Sequence, residues 1–224
     1  MEAVMKVNKN KNKNITDKQI TNKPVYDFFK RFFDIVLSLI ALILLSPIFL
    51  IIAILVKTTS EGPVIFKHKR VGLHGKEIGI YKFRSMVINA EELIKSFTPE
   101  QKEEYEKNFK LENDPRITKV GNFLRKTSLD ELPQLLNILK GDISIVGPRP
   151  IMDVETEIFG NYRELLLSVK PGLTGFWAAN GRSDTSYNRR RAMEIYYVKN
   201  RSLFFDIKII FQTVISVFKG EGAK

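Results

Sequence analysis

The chain has 224 residues, 44% of them hydrophobic, which is enough for a domain with its own core and excludes a protein that is nothing but a disordered polar tail. Thirty-six Lys and Arg against 25 Asp and Glu give a net charge of +11, so an acidic partner is expected: phosphate, nucleic acid or an anionic membrane. Without cysteine there is no disulfide framework, thiolate metal site or cysteine nucleophile, and with only two histidines any metal is expected on oxygen ligands, in the manner of magnesium.

Residues 1–24 read as a flexible basic tail, with Lys6, Lys9, Lys11, Lys13, Lys18 and Lys23 set among Asn, Thr and Gln. A membrane helix is expected over 25–57. Its centre, Ile35 to Val56, is 22 residues long and carries no charge, enough to cross a bilayer. It starts too far from Met1 and runs too long for a cleavable signal. Ser46-Pro47 falls near its middle, where a proline removes a backbone hydrogen bond and commonly kinks a helix. The arms on either side would each reach about half of the ~30 Å hydrocarbon layer. Re-entry and crossing are evenly balanced on these physics alone. Basic residues at both ends, Lys30 and Arg31 before and Lys57, Lys67, Lys69 and Arg70 after, suit two ends on the cytoplasmic side.

Residues 58–224 read as a small α/β (α+β) body with a short sheet. Pro63 to Phe66 and Ile78 to Phe83 have strand character, and Ala90 to Lys110 reads as a solvated helix broken at Thr98-Pro99. Leu129 to Leu139 is a helical pattern closed by Gly141, Ile143 to Val146 a strand, and Glu155 to Val169 a further helix. Phe204, Ile207, Phe211, Val214 and Phe218 form an apolar stripe at steps of three and four. Such a stripe seals a core or lies in a membrane interface, core packing being the commoner use.

Three constellations carry chemistry. In Arg125-Lys126-Thr127-Ser128-Leu129-Asp130-Glu131-Leu132-Pro133-Gln134, two adjacent carboxylates sit at a helix start with cations one turn upstream. Capping by Asp130 is one reading, since it places Pro133 in the first turn where no donor is lost. The chemical reading keeps Asp130 ionised beside Arg125, ready to attack phosphorus, with Glu131 offering oxygen to Mg²⁺. In Gly147-Pro148-Arg149-Pro150, two prolines hold an arginine that can grip phosphate or simply stand on a rigid turn. Lys170 to Trp177, followed by Asn180-Gly181-Arg182-Ser183-Asp184, suits a nucleotide base and its phosphates. Arg189-Arg190-Arg191 reads as a solvated or lipid-headgroup face, and His68 and His74 as structural or surface residues.

Together these segments resemble the bacterial sugar transferases, the monotopic phosphoglycosyl transferases or polyprenyl-phosphate hexose-1-phosphate transferases, in their minimal catalytic form. The likeness runs from Tyr26-Asp27-Phe28-Phe29-Lys30-Arg31-Phe32-Phe33-Asp34 through Ser46-Pro47, Tyr81 to Met86, Asp114 to Thr118 and Thr127 to Gln134. It continues through Leu139 to Asp142, Gly147 to Pro150, Pro171 to Gly175, Gly181 to Asp184, Tyr196 to Asn200 and Asp206-Ile207-Lys208.

The resemblance implies transfer of a sugar 1-phosphate from a UDP-sugar to undecaprenyl phosphate, with release of UMP, as the opening step of a surface polysaccharide or glycan. It implies that Asp130 forms a covalent phosphosugar intermediate and that Glu131 binds Mg²⁺, or Mn²⁺ in its place. Arg125 and Arg149, with Lys82, Arg182 and Asp206 in support, fall on positions of its phosphate and substrate motifs. It also implies a helix that turns back at Ser46-Pro47, interfacial amphipathic helices, and a catalytic domain on the cytoplasmic face of a bacterial cell membrane, in contact with anionic lipid. Departures are confined to Phe176 to Asn180. The rival reading is a membrane-anchored scaffold or nucleic-acid-binding protein, but no helix-turn-helix pattern or basic patch interleaved with aromatics supports it, so no nucleic-acid partner is expected.

Overall fold

The computed structural model describes residues 22–108, 111, 113–181 and 185–219. The expected basic tail lies outside the described residues up to position 21, as do Arg182, Ser183 and Asp184.

Helix α1, Pro24–Thr59, runs for 36 residues, about 54 Å at the usual rise. It starts eleven residues before the uncharged run because polar side chains at steps of four, Tyr26, Lys30, Asp34 and Ser38, share one face. That face continues through Ala41, Leu42, Leu45, Phe49, Ile52 and Val56, all packed on the globular body. The other side exposes residues such as Phe28, Ile43, Leu44, Leu50 and Ile54. Among the described residues α1 is the one helix long and apolar enough to cross a membrane. Its helical geometry runs through Pro47, which cannot donate to the carbonyl of Ile43; the Ser46 hydroxyl donates to that oxygen instead, at 2.8 Å.

Strands β1 (Ile65–Val71) and β2 (Glu77–Phe83) form an antiparallel hairpin with Ile65 opposite Phe83 and Val71 opposite Glu77. The solvated segment is helical as α2 (Ala90–Leu93) and α3 (Pro99–Asn108), divided at the expected Thr98-Pro99 break. Helix α4 (Lys119–Lys126) starts where the Thr118 hydroxyl accepts the Gly121 N–H at 2.9 Å. The expected helix over Leu129 to Leu139 is a 3₁₀ turn, Leu129–Glu131, followed by α5 (Gln134–Lys140). Gly141, at φ 85°, ends it as expected.

Strand β3 (Ser144–Val146) pairs in parallel with β4 (Gly172–Thr174), so the short sheet is two separate strand pairs. Between them the single helix expected over Glu155 to Val169 is divided into α6 (Asp153–Thr156), a 3₁₀ stretch and α7 (Arg163–Leu167), because Gly160 takes φ 48°. Helix α8 (Tyr187–Asn200) carries the triple-arginine run, and α9 (Leu203–Phe218) the apolar stripe.

Two sequence readings are corrected. Arg190 is buried rather than solvated, since its turn of α8 faces the body. On α9, Phe204, Ile207, Phe211 and Val214 point outward, while Asp206 and Ile209 face inward. The stripe therefore seals no core. The interior is filled by Val146, Ile151, Leu165, Val198 and Ile209 around β3, and by Ile78, Ile80, Leu135, Ile138 and Ile143 between the hairpin, α5 and α1. Each fully buried side chain of this size contributes roughly 1.5–3 kcal/mol.

Both ends of α1 are fastened to this body. Near its start, Asp206 accepts from Tyr26 Oη at 2.8 Å and Lys30 Nζ at 2.7 Å, and Arg31 donates to the carbonyls of Ile138 and Leu139, the latter at 2.8 Å. The Asp34 carboxylate accepts from Ser144 Oγ at 3.0 Å and the Ile145 N–H at 2.9 Å. At the far end the buried Arg84 guanidinium donates to the carbonyls of Val56, at 3.1 Å, and Ser60, at 2.7 Å.

Candidate active site

The acidic pair lies where β2, α4 and the 3₁₀ turn before α5 converge. Ser128 takes the left-handed conformation at φ 57°, which ends α4 and turns the chain so that Asp130 points inward. Asp130 is 7% exposed, while Glu131 stands at the rim, its Oε1 2.6 Å from Lys82 Nζ on β2. Arg125, in the last turn of α4, is set by donation from Nε to Ser85 Oγ at 3.1 Å. The capping reading of Asp130 is not realised: α5 starts at Gln134 with Pro133 in the capping position and no side-chain cap bond.

Burial pushes the Asp130 carboxyl up to about 6, and the Glu131 charge adds to this; Lys82 and Arg125 pull the other way. The sequence reading has this carboxylate ionised. A carboxyl raised this far still favours the ionised form at neutral pH.

Lys82 and Arg125 stand close to the pair, and further cations gather around the hairpin. His68 and Arg70 stand two apart on β1, on one face of the hairpin with Lys82. Burial holds His68 down at about 4, with Arg70, Lys82, Arg149 and Arg125 all adding to the effect, so these four positive charges act on one small region. Burial first, then Arg149, lowers Arg70 to about 10.

Arg149 reaches this region because two glycine-bearing turns fit together. Gly147 N–H donates to Thr174 O at 2.9 Å and Gly172 N–H to Pro148 O at 2.8 Å. A Cβ on either Gly147 or Gly172 would strike the backbone of the other, so larger residues would force the turns apart. The Arg149 guanidinium lies 5.4 Å from the Trp177 ring centre and that of Arg190 4.8 Å from it. Beneath them the fully enclosed Glu194 accepts the Arg149 N–H at 3.2 Å, and burial pushes its carboxyl up to about 7.

Of the residues singled out from sequence, Asp130, Glu131, Lys82 and Arg125 come together at one place, and Arg149 shares with Lys82 and Arg125 the surroundings of His68. Asp206 lies elsewhere: 6% exposed, it accepts from Tyr26, Lys30 and, at 2.8 Å, Tyr197, and so joins α1, α8 and α9. Ser46 and Pro47 are on α1, and Arg182 lies outside the described residues. Sequence reasoning did not find His68, Arg70, Arg190 or Glu194 as members of the site. The alternation His68, Arg70 on a strand was the available signal, but the neighbouring row Lys67, Lys69 alternates equally well.

Among the described residues no cluster of three or more His, Cys, Asp or Glu is arranged to hold a metal. The rim carboxylate of Glu131 is the oxygen donor that the sequence reading offers to a cation. A single carboxylate, completed by phosphate and water, is an environment that Mg²⁺ accepts, so Glu131 fits the ion.

Comparison with known proteins bears on this arrangement. Residues 25–220 match the family described as bacterial sugar transferase. The chain is 51% identical over 200 residues to the undecaprenyl-phosphate galactose phosphotransferase of Salmonella typhimurium, which covers 88% of this chain and 42% of that protein. It is 44% identical over 204 residues to the exopolysaccharide production protein ExoY of Rhizobium meliloti, covering 90% of each. With the UDP-glucose:undecaprenyl-phosphate glucose-1-phosphate transferase of Escherichia coli it shares 42% identity over 220 residues, 89% of this chain and 44% of that one. The chain thus spans less than half of the longer relatives and nearly all of the shorter one.

Proposed function

Because the chain belongs to the bacterial sugar transferase family, we propose that it transfers a sugar 1-phosphate from a UDP-sugar to undecaprenyl phosphate and releases UMP. The observation that carries this reading is the buried Asp130 carboxylate, set beside the Glu131–Lys82 pair and Arg125, with Arg149 close to the neighbouring His68. A nucleophile must be ionised and poorly solvated, and a diphosphate donor needs concentrated positive charge.

In the first step an Asp130 oxygen bonds to the phosphorus that bears the sugar. The bond from that phosphorus to the bridging oxygen breaks, and UMP leaves with that oxygen and its electron pair. In the second step an oxygen of undecaprenyl phosphate bonds to the same phosphorus, the Asp130–phosphorus bond breaks, and the carboxylate is restored. Arg125 and Arg149 hold phosphate oxygens, and Lys82 orients Glu131. Glu131 would hold Mg²⁺ or Mn²⁺, which when bound supplies further neutralisation of phosphate charge.

The membrane arrangement belongs to the same proposal. Residues 25–57 form a re-entrant element and residues 58–224 a catalytic domain on the cytoplasmic face of a bacterial membrane. The fastening of both ends of α1 to one body supports re-entry, since a crossing helix would leave one end on the opposite side. The outward apolar faces of α1 and α9 suit contact with acyl chains, and the +11 charge suits anionic headgroups.

The test is UMP release by detergent-purified protein given Mg²⁺, undecaprenyl phosphate and a panel of UDP-sugars. Release with at least one sugar, abolished in Asp130→Asn, is expected. Release undiminished in Asp130→Asn, or none with any donor from folded protein, would refute the assignment.

A further inference from the structure

We propose that Asn137 is a positioning residue that sets Lys82 against Glu131 by clamping β2 to α5. Its side chain is fully enclosed and makes three hydrogen bonds. Oδ1 accepts the Tyr81 N–H at 2.8 Å, while Nδ2 donates to Gly79 O at 2.8 Å and to Asp142 Oδ2 at 3.1 Å.

The amide pairs with the backbone of β2 as a neighbouring strand would, on the edge turned away from β1. Gly79 and Tyr81 present one acceptor and one donor there, and a primary amide satisfies both with a single planar group. Lys82 is the next residue after Tyr81, and its Nζ meets Glu131 Oε1 at 2.6 Å. The 3₁₀ turn bearing Asp130 and Glu131 leads directly into the helix that carries Asn137. Both partners of the ion pair are thus tied to one buried side chain. Asp142 fixes which way the amide faces, because its carboxylate accepts only from the NH₂ end. An aspartate at 137 keeps the shape but loses that donor and sets a carboxylate against Gly79 O and Asp142.

The inference rests on the acidic pair being catalytic, so its test measures kcat and KM for the UDP-sugar in four proteins: wild type, Lys82→Gln, Asn137→Asp and the double variant, each with its Tm. Lys82→Gln and Asn137→Asp are each expected to lower kcat by about tenfold or more with KM within about twofold. The double variant is expected to be no slower than Lys82→Gln alone, while the losses in Tm add. Losses in kcat that multiply in the double variant, or an unchanged kcat in folded Asn137→Asp, would overturn the clamp. If Asn137→Asp does not fold, Asp142→Ala takes its place. It leaves both strand bonds in place and is expected to lower kcat by about threefold in wild type and not in Lys82→Gln; equal losses in both backgrounds would overturn the clamp. A normal kcat in Lys82→Gln would instead overturn the reading of the acidic pair.

Discussion

Asp206 separates a structural role from a substrate contact most sharply. Its carboxylate accepts from Tyr26, Lys30 and Tyr197 at 2.8, 2.7 and 2.8 Å and is 6% exposed. In Asp206→Ala the Lys30 ammonium, whose side chain is 15% exposed, loses the carboxylate it pairs with at 2.7 Å, and two hydroxyls lose an acceptor. Breaking such a buried pair from one side costs about 3–5 kcal/mol. At about 2–4 °C per kcal/mol for a chain of this size, Tm should fall by about 6–20 °C. Lys30→Met in the same background should recover part of that loss by removing the unpaired charge. Thermal unfolding in detergent reads the first quantity, and KM for the UDP-sugar, measured well below both midpoints, reads the second. KM should stay within about twofold of wild type. An unchanged Tm with KM raised about tenfold would refute the reasoning and return Asp206 to the substrate.

Asp130 links pH to stability and turnover in opposite senses. Its folded pKa of about 6 lies above the unfolded value near 3.9. It therefore contributes stability that is full below about pH 4 and lost as pH rises through 6, at most about 3 kcal/mol. Asp130→Asn should raise Tm at pH 7.5 and flatten this dependence, whereas wild-type turnover should rise through pH 6 as the carboxylate ionises; a Tm that falls in the variant would contradict the burial argument. Arg149→Ala should raise KM for the UDP-sugar by about ten- to a hundredfold, the range for lost charge-assisted bonds, with little change in Tm. The protein lacks cysteine, so Asn22→Cys and Glu61→Cys can be labelled singly in sealed vesicles. Both should react from the same side, and labelling from opposite sides would show that α1 crosses the bilayer.

Much of the fold was legible where local chemistry decides it. The break at Thr98-Pro99, the stop at Gly141 and the strand before Gly147 follow from proline, glycine and β-branched residues acting on their own neighbours. The start of α1 lies one residue from the expected position 25, but why charged residues belong to it is plain only once Asp206 and β3 are seen to face Lys30 and Asp34. Gly160 divided a helix whose periodicity continued on both sides, and only its positive φ shows why. The acidic pair was found by adjacency in sequence. Arg190 and Glu194 were not, since one turn of a helix rich in charge looks alike whether it meets water or Trp177. The direction of the α9 stripe depended on an enclosed Asp206 on the opposite face, a long-range contact that helical spacing does not encode.

The measurement that tests the central claim most directly is the reaction of the purified protein with the donor sugar nucleotide alone, without any lipid acceptor. The account predicts a burst of UMP close to one per active protein and, in the quenched sample, a phosphosugar attached to the peptide containing Asp130, both absent in Asp130→Asn. Release of UMP only when undecaprenyl phosphate is added, with no adduct on Asp130, would mean that the sugar phosphate passes directly to the lipid and would contradict the covalent scheme.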